Sequence, residues 1–263
     1  MTVNPLAAQK NSKPAAVCIC IHCMDRRINS NATHGVEVFK MSTAGASFPA
    51  PSAQQCTQED SLHIILERAK ESGQTVISAF SGHEDCVAVQ SIWNAAHKPA
   101  TERSERDAAR LAPYAALVEQ VRSHTIEETE RLRLLTQAKT LQDINHAFAY
   151  DDIQAVVNEN ELSIVAYFED VVTEPHRLYI FDVKQNVFVS TTTRLKELLE
   201  QPELLEQYAL KAPVNVAAFV EDKAAIYKQR RYEKAIKSMV VDRDEQDAQE
   251  IRPALQIARV ARS

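Results

Sequence analysis

Short apolar runs alternate with helical periodicities through the first hundred residues. "AAVCICI" (15–21) is apolar and rich in strand formers, so it predicts a buried strand. "VEVFKM" (36–41) predicts a second strand, followed by the turn-like "STAGAS". Over residues 59–72, Leu62, Ile65, Leu66 and Ala69 fall on one helical face, with Gly73 placed to stop the helix. "TVISAF" (75–80) predicts a third buried strand ending at Ser81-Gly82, and a helix over 86–96 follows, with Val89 and Trp93 four apart. Buried strands alternating with helices predict an α/β fold with a mainly parallel central sheet flanked by helices.

The later pattern is more helical. "HKPATERSERD" (97–107) reads as a polar linker, and 108–157 as helical throughout. Thr125 and Glu128 have capping-box spacing for a helix running on to about residue 139. "LSIVAYF" (162–168) predicts a fourth strand, and "LYIFDV" and "VFVSTT" a strand pair across a turn at Lys184–Asn186. From Arg194 onward the pattern is helical, and 228–263 is heavily charged. The expected organisation is a polar arm over 1–14, an α/β domain over 15–195, and a helical C-terminal extension over 196–263 packed on that domain or continuing it. No internal repeat is visible.

Composition narrows the function classes. The chain has 263 residues and a net charge of −6, which argues against a general nucleic-acid binder, whose footprint would be basic. Its glycines are Gly35, Gly45, Gly73 and Gly82, too few and too scattered for a phosphate-cradling loop. No run approaches the ~20 apolar residues of a membrane span. "MTVNPLAAQKNSKPAA" lacks an apolar signal core, and the 5 cysteines are an odd number. A reducing cytoplasm with free or metal-bound thiols is therefore expected.

The chemistry concentrates where two of the predicted strands end. The first runs into "CMDRR" (23–27) and the third into "SGHEDC" (81–86). In open parallel sheets ligands bind beyond the carboxyl ends of strands. If these strands are neighbours, Cys23, His83 and Cys86 converge. Two thiolates and an imidazole suit tetrahedral zinc, with a fourth position left open. The helix expected to start at Cys86 would favour its thiolate. Cys20-x-x-Cys23 also has the spacing of a metal knuckle or redox pair, but Cys18 and Cys20 alternate along the strand and read as small core residues. Asp25 and Arg27, beside a thiolate, read as a functional dyad against the alternative of a surface ion pair. Glu84 and Asp85 read as solvated or capping residues, with proton shuttling as the alternative. Cys56, Arg26, His22, His34, His63 and His97 carry no second signal.

These residues carry a resemblance. Cys23-x-Asp25-x-Arg27 and His83-x-x-Cys86 resemble the paired motifs of the β-class carbonic anhydrases. "VFKMSTAGAS", "DSLHIILERAKESGQTVISAFSGHEDC" and "ENELSIVAYFEDVVTEPHRLYIFDV" resemble that family's second strand and turn, its helix–strand unit and its late strands. The resemblance covers about 16–96 strongly and 142–190 more weakly. Val87 stands where the family usually has glycine, and the turn reads Ser-Thr-Ala-Gly rather than Arg-Asn-Ala-Gly. The resemblance implies a β-carbonic-anhydrase-like fold with extra C-terminal helices, zinc held by Cys23, His83 and Cys86, and reversible hydration of carbon dioxide to bicarbonate. It implies that Asp25 aims the hydroxide that zinc supplies and that Arg27 holds Asp25. In some members the matching aspartate instead closes the site by ligating zinc. It also implies a homodimer or higher homo-oligomer. Hydrolysis of carbonyl sulfide or carbon disulfide, and non-catalytic zinc or bicarbonate binding, are the alternatives on the same fold.

Overall fold

The computed structural model describes residues 16–25, 27, 39–51, 57–72, 75–173 and 175–235. Six strands form one sheet: β1 (Ala16–Cys23), β2 (Phe39–Thr43), β3 (Thr75–His83), β4 (Leu162–Asp170), β5 (Arg177–Asp182) and β6 (Val187–Thr191), in the order β2-β1-β3-β4-β5-β6. The pairings β1–β2, β1–β3 and β3–β4 are parallel, and β4–β5 and β5–β6 are antiparallel. This is the expected mainly parallel α/β sheet, with the predicted late strand pair as its antiparallel edge. The chain leaves β1 for β2 on one side and returns to β3 on the other. A topological switch point therefore lies between β1 and β3, where a crevice opens at the strands' carboxyl ends.

Strand alternation divides the core. Cys18 and Cys20 of β1, Ile77 and Ala79 of β3, and Val165 and Tyr167 of β4 share one face with Leu195, Leu198 and Tyr208. The last three come from α7 (Leu195–Glu200) and α8 (Pro202–Tyr208). The intervening positions, among them the fully buried Ile19, Ile21 and Phe80, point to the other face. Each large apolar side chain so buried contributes roughly 1.5–3 kcal/mol. Leu62 and Leu66 of α1 (Thr57–Ser72) are buried and Ile65 half-buried, matching the predicted stripe. Residue 73, the expected helix stop, and 36–38 of the expected second strand lie outside the described residues.

The region after α2 (Val87–His97) departs from the expectation of a linker and one helical stretch. It folds as α3 (Glu105–Leu111), α4 (Ala115–Ser123), α5 (Glu128–Phe148) and α6 (Asp151–Asn158). Ser104 caps α3 by accepting a hydrogen bond from the Asp107 amide at 3.1 Å, so the helix starts inside the polar stretch read as a linker. The capping box of α5 is made by Glu127 and Glu130, not by Thr125 and Glu128. Ile126 is buried at 4% exposure, and the chain stays extended through Glu127 to bury it, which moves the helix start past Thr125. From Leu134 onward α5 is buried on almost every side, so it continues to Phe148 rather than stopping near 139.

The predicted C-terminal helical run is broken as well. Residues 209–215 are not helical, and the Leu210 amide donates to the Ile164 carbonyl of β4 at 2.8 Å. Among the described residues, those up to Val220 form one compact unit and those from Glu221 a second, of which 221–235 are helical. Among the described residues, no helix is long and apolar enough to cross a membrane.

Candidate metal centre

Cys23 closes β1, His83 closes β3, and Cys86 is the N-cap residue of α2. Because β1 and β3 pair in parallel, with His22 opposite Ser81, the polar residues that follow both strands meet at the switch point. The ligand-capable atoms of Cys23, His83 and Cys86 lie within 4.8 Å of one another, and all three residues are buried. Asp85 between the motif positions has a positive φ of 56°, a sharp turn that brings Cys86 back beneath His83.

The donor set fits a tetrahedral zinc ion. The sulfur atoms are 3.9 Å apart, and tetrahedral geometry with zinc–sulfur bonds of ~2.3 Å requires about 3.8 Å. His83 Nδ1 donates to the Glu84 carbonyl oxygen at 2.8 Å, which leaves a lone pair on Nε2. That Nε2 is buried without a hydrogen-bond partner, a costly state unless it ligates. The contact with the Cys86 sulfur, aided by the Gly45 amide, draws the Cys23 thiol down, and the same contact together with burial pushes Cys86 up. Burial opposes protonation of His83, yet the Cys23 thiolate raises its pKa. A buried site that draws positive charge is what a cation needs. The Ala88 and Val89 amides at the start of α2 favour a thiolate at Cys86.

Asp25 and Arg27 sit at the rim. Asp25 Oδ1 accepts from the Arg27 backbone amide at 2.9 Å and from Nε at 3.1 Å, and Oδ2 accepts from Nη2 at 2.7 Å. The guanidinium holds the Asp25 carboxyl down at about 2. Asp25 Oδ2 is 4.0 Å from His83 Nε2, so the carboxylate borders the ligand triad while being held by arginine. Sequence reasoning missed the other half of this arrangement. Arg27 Nη1 donates to Asp85 Oδ2 at 3.1 Å and Nη2 to the Asp85 carbonyl at 3.0 Å, and Gln90 Nε2 donates to Asp85 Oδ1 at 2.6 Å. Asp85 anchors the arginine rather than facing solvent alone. Its sequence signal was its place between His83 and Cys86, which did not say which way the carboxylate turns.

The remaining candidates separate cleanly. Cys18 and Cys20 are buried on the opposite side of the strand from Cys23, and burial pushes the Cys18 thiol up to about 11 and Cys20 further. His22 Nε2 is 2.9 Å from Ser42 Oγ, His63 Nε2 is 3.0 Å from Asp152, and His97 Nδ1 bonds the Trp93 carbonyl at 2.8 Å. Glu84 pairs with Arg133 at 3.1 Å, away from the ligands. Arg26, His34 and Cys56 lie outside the described residues. Val87, which replaces the expected small residue, is exposed. A cleft of about 230 Å³ opens beside Cys86, bounded by Asp85, Val89, Gln90, Leu132, Arg133 and Val172.

The fold is that of the β-carbonic anhydrases. The structure is similar to the β-carbonic anhydrase CcaA, with a TM-score of 0.55 and 16% identity over 67% of this chain and 84% of that one. It is also similar to a Coccomyxa β-carbonic anhydrase solved in complex with acetazolamide, with a TM-score of 0.50 and 11% identity over 79% of this chain and 84% of that one. No protein-family model matches the sequence, and no curated protein does. The fold and a Cys–His–Cys group able to hold zinc thus rest on structure and geometry.

Proposed function

We propose that this protein binds zinc through Cys23, His83 and Cys86 and catalyses the reversible hydration of carbon dioxide. The observation that carries this reading is the Asp25 carboxylate, held ionised by Arg27 yet only 4.0 Å from His83 Nε2. A purely structural metal needs no such group at its rim. Zinc with three protein ligands lowers the pKa of water towards ~7 and so makes a hydroxide nucleophile available near neutral pH. Asp25, ionised and fixed, accepts a hydrogen bond from the nucleophile's O–H and turns its lone pair towards substrate. Arg27 keeps that carboxylate charged and withheld from the metal by charge-assisted, bidentate contacts. Asp85 and Gln90 fix the arginine in turn. Val89, Leu132 and Val172 give the adjoining cleft apolar walls suited to a small neutral substrate.

The same reading carries the expectation of a cytoplasmic homodimer or larger homo-oligomer. One purified sample tests the chemistry through its zinc content, its carbon dioxide hydration and its hydrolysis of carbonyl sulfide and carbon disulfide. About one zinc per chain with hydration supports the proposal. Turnover of the sulfur substrates alone makes the protein a hydrolase on this fold, and zinc with no turnover makes it a non-catalytic binder. Full zinc retention in a Cys23→Ser/Cys86→Ser variant overturns the site itself.

A further inference from the structure

A buried ion pair lies behind the metal centre, on the helix that packs against β3. Lys139 and Asp143, one turn apart on α5, have side chains only 3% and 1% exposed, and Lys139 Nζ is 2.6 Å from Asp143 Oδ2. Burying two charges usually costs more than their attraction returns, so a buried pair is poor evidence of a purely stabilising role. The lysine has further partners. Its Nζ donates to the Gly45 carbonyl at 2.8 Å and lies 4.8 Å from the centre of the Tyr114 ring. Tyr114 donates its hydroxyl to Asp143 Oδ1 at 2.6 Å, which holds the carboxylate from the other side.

Gly45 links this cluster to the ligands. Its amide donates to Cys23 Sγ at 3.3 Å while its carbonyl accepts from Lys139. It sits at φ +73°, and a Cβ there would come within 3.0 Å of the Ala88 Cβ and 3.9 Å of Cys86 Sγ. Glycine adopts this left-handed conformation without strain, but it adopts others as readily. Nothing in its own covalent structure keeps its amide aimed at the sulfur. The turn is braced by Thr43 Oγ1 donating to the Ser47 carbonyl and Ser47 Oγ to the Ala44 carbonyl, both at 3.1 Å, and the lysine is the side chain that holds the Gly45 carbonyl itself.

We propose that Lys139 is a positioning residue for the metal centre. By clamping the Gly45 carbonyl it keeps the Gly45 amide hydrogen-bonded to the Cys23 sulfur, which lowers that sulfur's donor strength towards zinc and holds it in place. Asp143 and Tyr114 serve to carry the lysine's charge in this buried layer, with His146 Nδ1 3.8 Å from Asp143 Oδ1. This rests on the zinc reading above. Hydrogen bonds to ligating sulfurs tune a metal's electronics, and partners beyond the ligands commonly change metal affinity by ~10–100-fold.

The test uses the full chain loaded with zinc or with cobalt(II). Lys139→Met alone would strand a buried carboxylate and could unfold the protein. The informative variant is therefore Lys139→Met/Asp143→Leu/Tyr114→Phe, which replaces the whole cluster with apolar groups of similar size. A Leu198→Ala variant, on the other face of the sheet, serves as the destabilised control. The triple variant is expected to fold and bind one zinc, with affinity about tenfold lower in competition with a chelator, because the lost placement of the Cys23 sulfur outweighs its stronger donation. Its sulfur-to-cobalt charge-transfer band should move to longer wavelength, because a thiolate that has lost a hydrogen bond gives up electron density more easily. The control should keep the wild-type band. An unmoved band with one tightly held zinc in the triple variant overturns the positioning role and leaves the metal centre standing. Failure of the wild-type chain to bind either metal overturns the centre, and the positioning role with it.

Discussion

Gly82→Ala is the perturbation whose cost follows most directly from the packing. Gly82 lies on the α5 side of β3, one residue before His83. An added Cβ would collide with Thr140 Oγ1, with Thr136 Cγ2 3.4 Å and the Thr136 carbonyl oxygen 3.6 Å away. Thr140 is buried and donates its hydroxyl to that same carbonyl at 3.0 Å, so moving aside breaks that bond. The variant must break this hydrogen bond or lift α5 off the sheet. Overpacking a tight core costs typically ~1–3 kcal/mol, and losing a buried hydrogen bond about 1 kcal/mol. The expected destabilisation is thus about 2–4 kcal/mol, a large share of a typical domain's ~5–15 kcal/mol. Thr140→Ala removes the colliding oxygen. In a double-mutant cycle read by equilibrium urea unfolding, Gly82→Ala/Thr140→Ala should be more stable than additivity allows by about 1–3 kcal/mol. A single variant within ~0.5 kcal/mol of wild type, or a strictly additive cycle, would refute the close approach described here.

Three further outcomes are expected. Asp25→Asn should keep its zinc, as measured by elemental analysis, while carbon dioxide hydration falls by ~10²–10⁴-fold with the loss of the charged acceptor. Cys20→Ala should leave zinc content unchanged and cost about 1 kcal/mol in urea unfolding, because the thiol lies on the face of β1 away from the ligands. Tyr114→Phe takes away the hydroxyl that Asp143 Oδ1 accepts from, and should lower stability by ~1–3 kcal/mol in the same assay.

The strands and the triad were legible because each gave a sharp local signal. β1 and β3 are unbroken apolar runs, and Cys23, His83 and Cys86 stand where those runs end. The supporting residues gave none. Lys139, Thr140 and Asp143 sit in a stretch whose sequence says only that it is helical, and only the surrounding elements reveal that α5 is buried nearly all round. Asp85 was visible, but its partner was not, since Arg27 is 58 residues away in sequence. The capping box was misplaced by two residues because Thr125–Glu128 and Glu127–Glu130 both satisfy the spacing. Burial of Ile126, a tertiary fact, decides between them.

The seating of α5 on β3 has a consequence for how such a chain can change over time. Thr140, which fills the space left by Gly82, is the immediate neighbour of Lys139, so the register that lets the sheet and helix touch is the register that delivers the ammonium to Gly45. The ligands are encoded before residue 90 and this alignment some fifty residues later. An insertion or deletion of a single residue within the first turns of α5, between Glu128 and Leu134, would leave Cys23, His83 and Cys86 in place and, with the helix start held, turn Lys139 by about 100° around the helix, away from the glycine. If Lys139 positions the site as proposed, descendants of such a sequence can retain Cys23, His83 and Cys86 and still bind metal less well, through an edit that no motif would register.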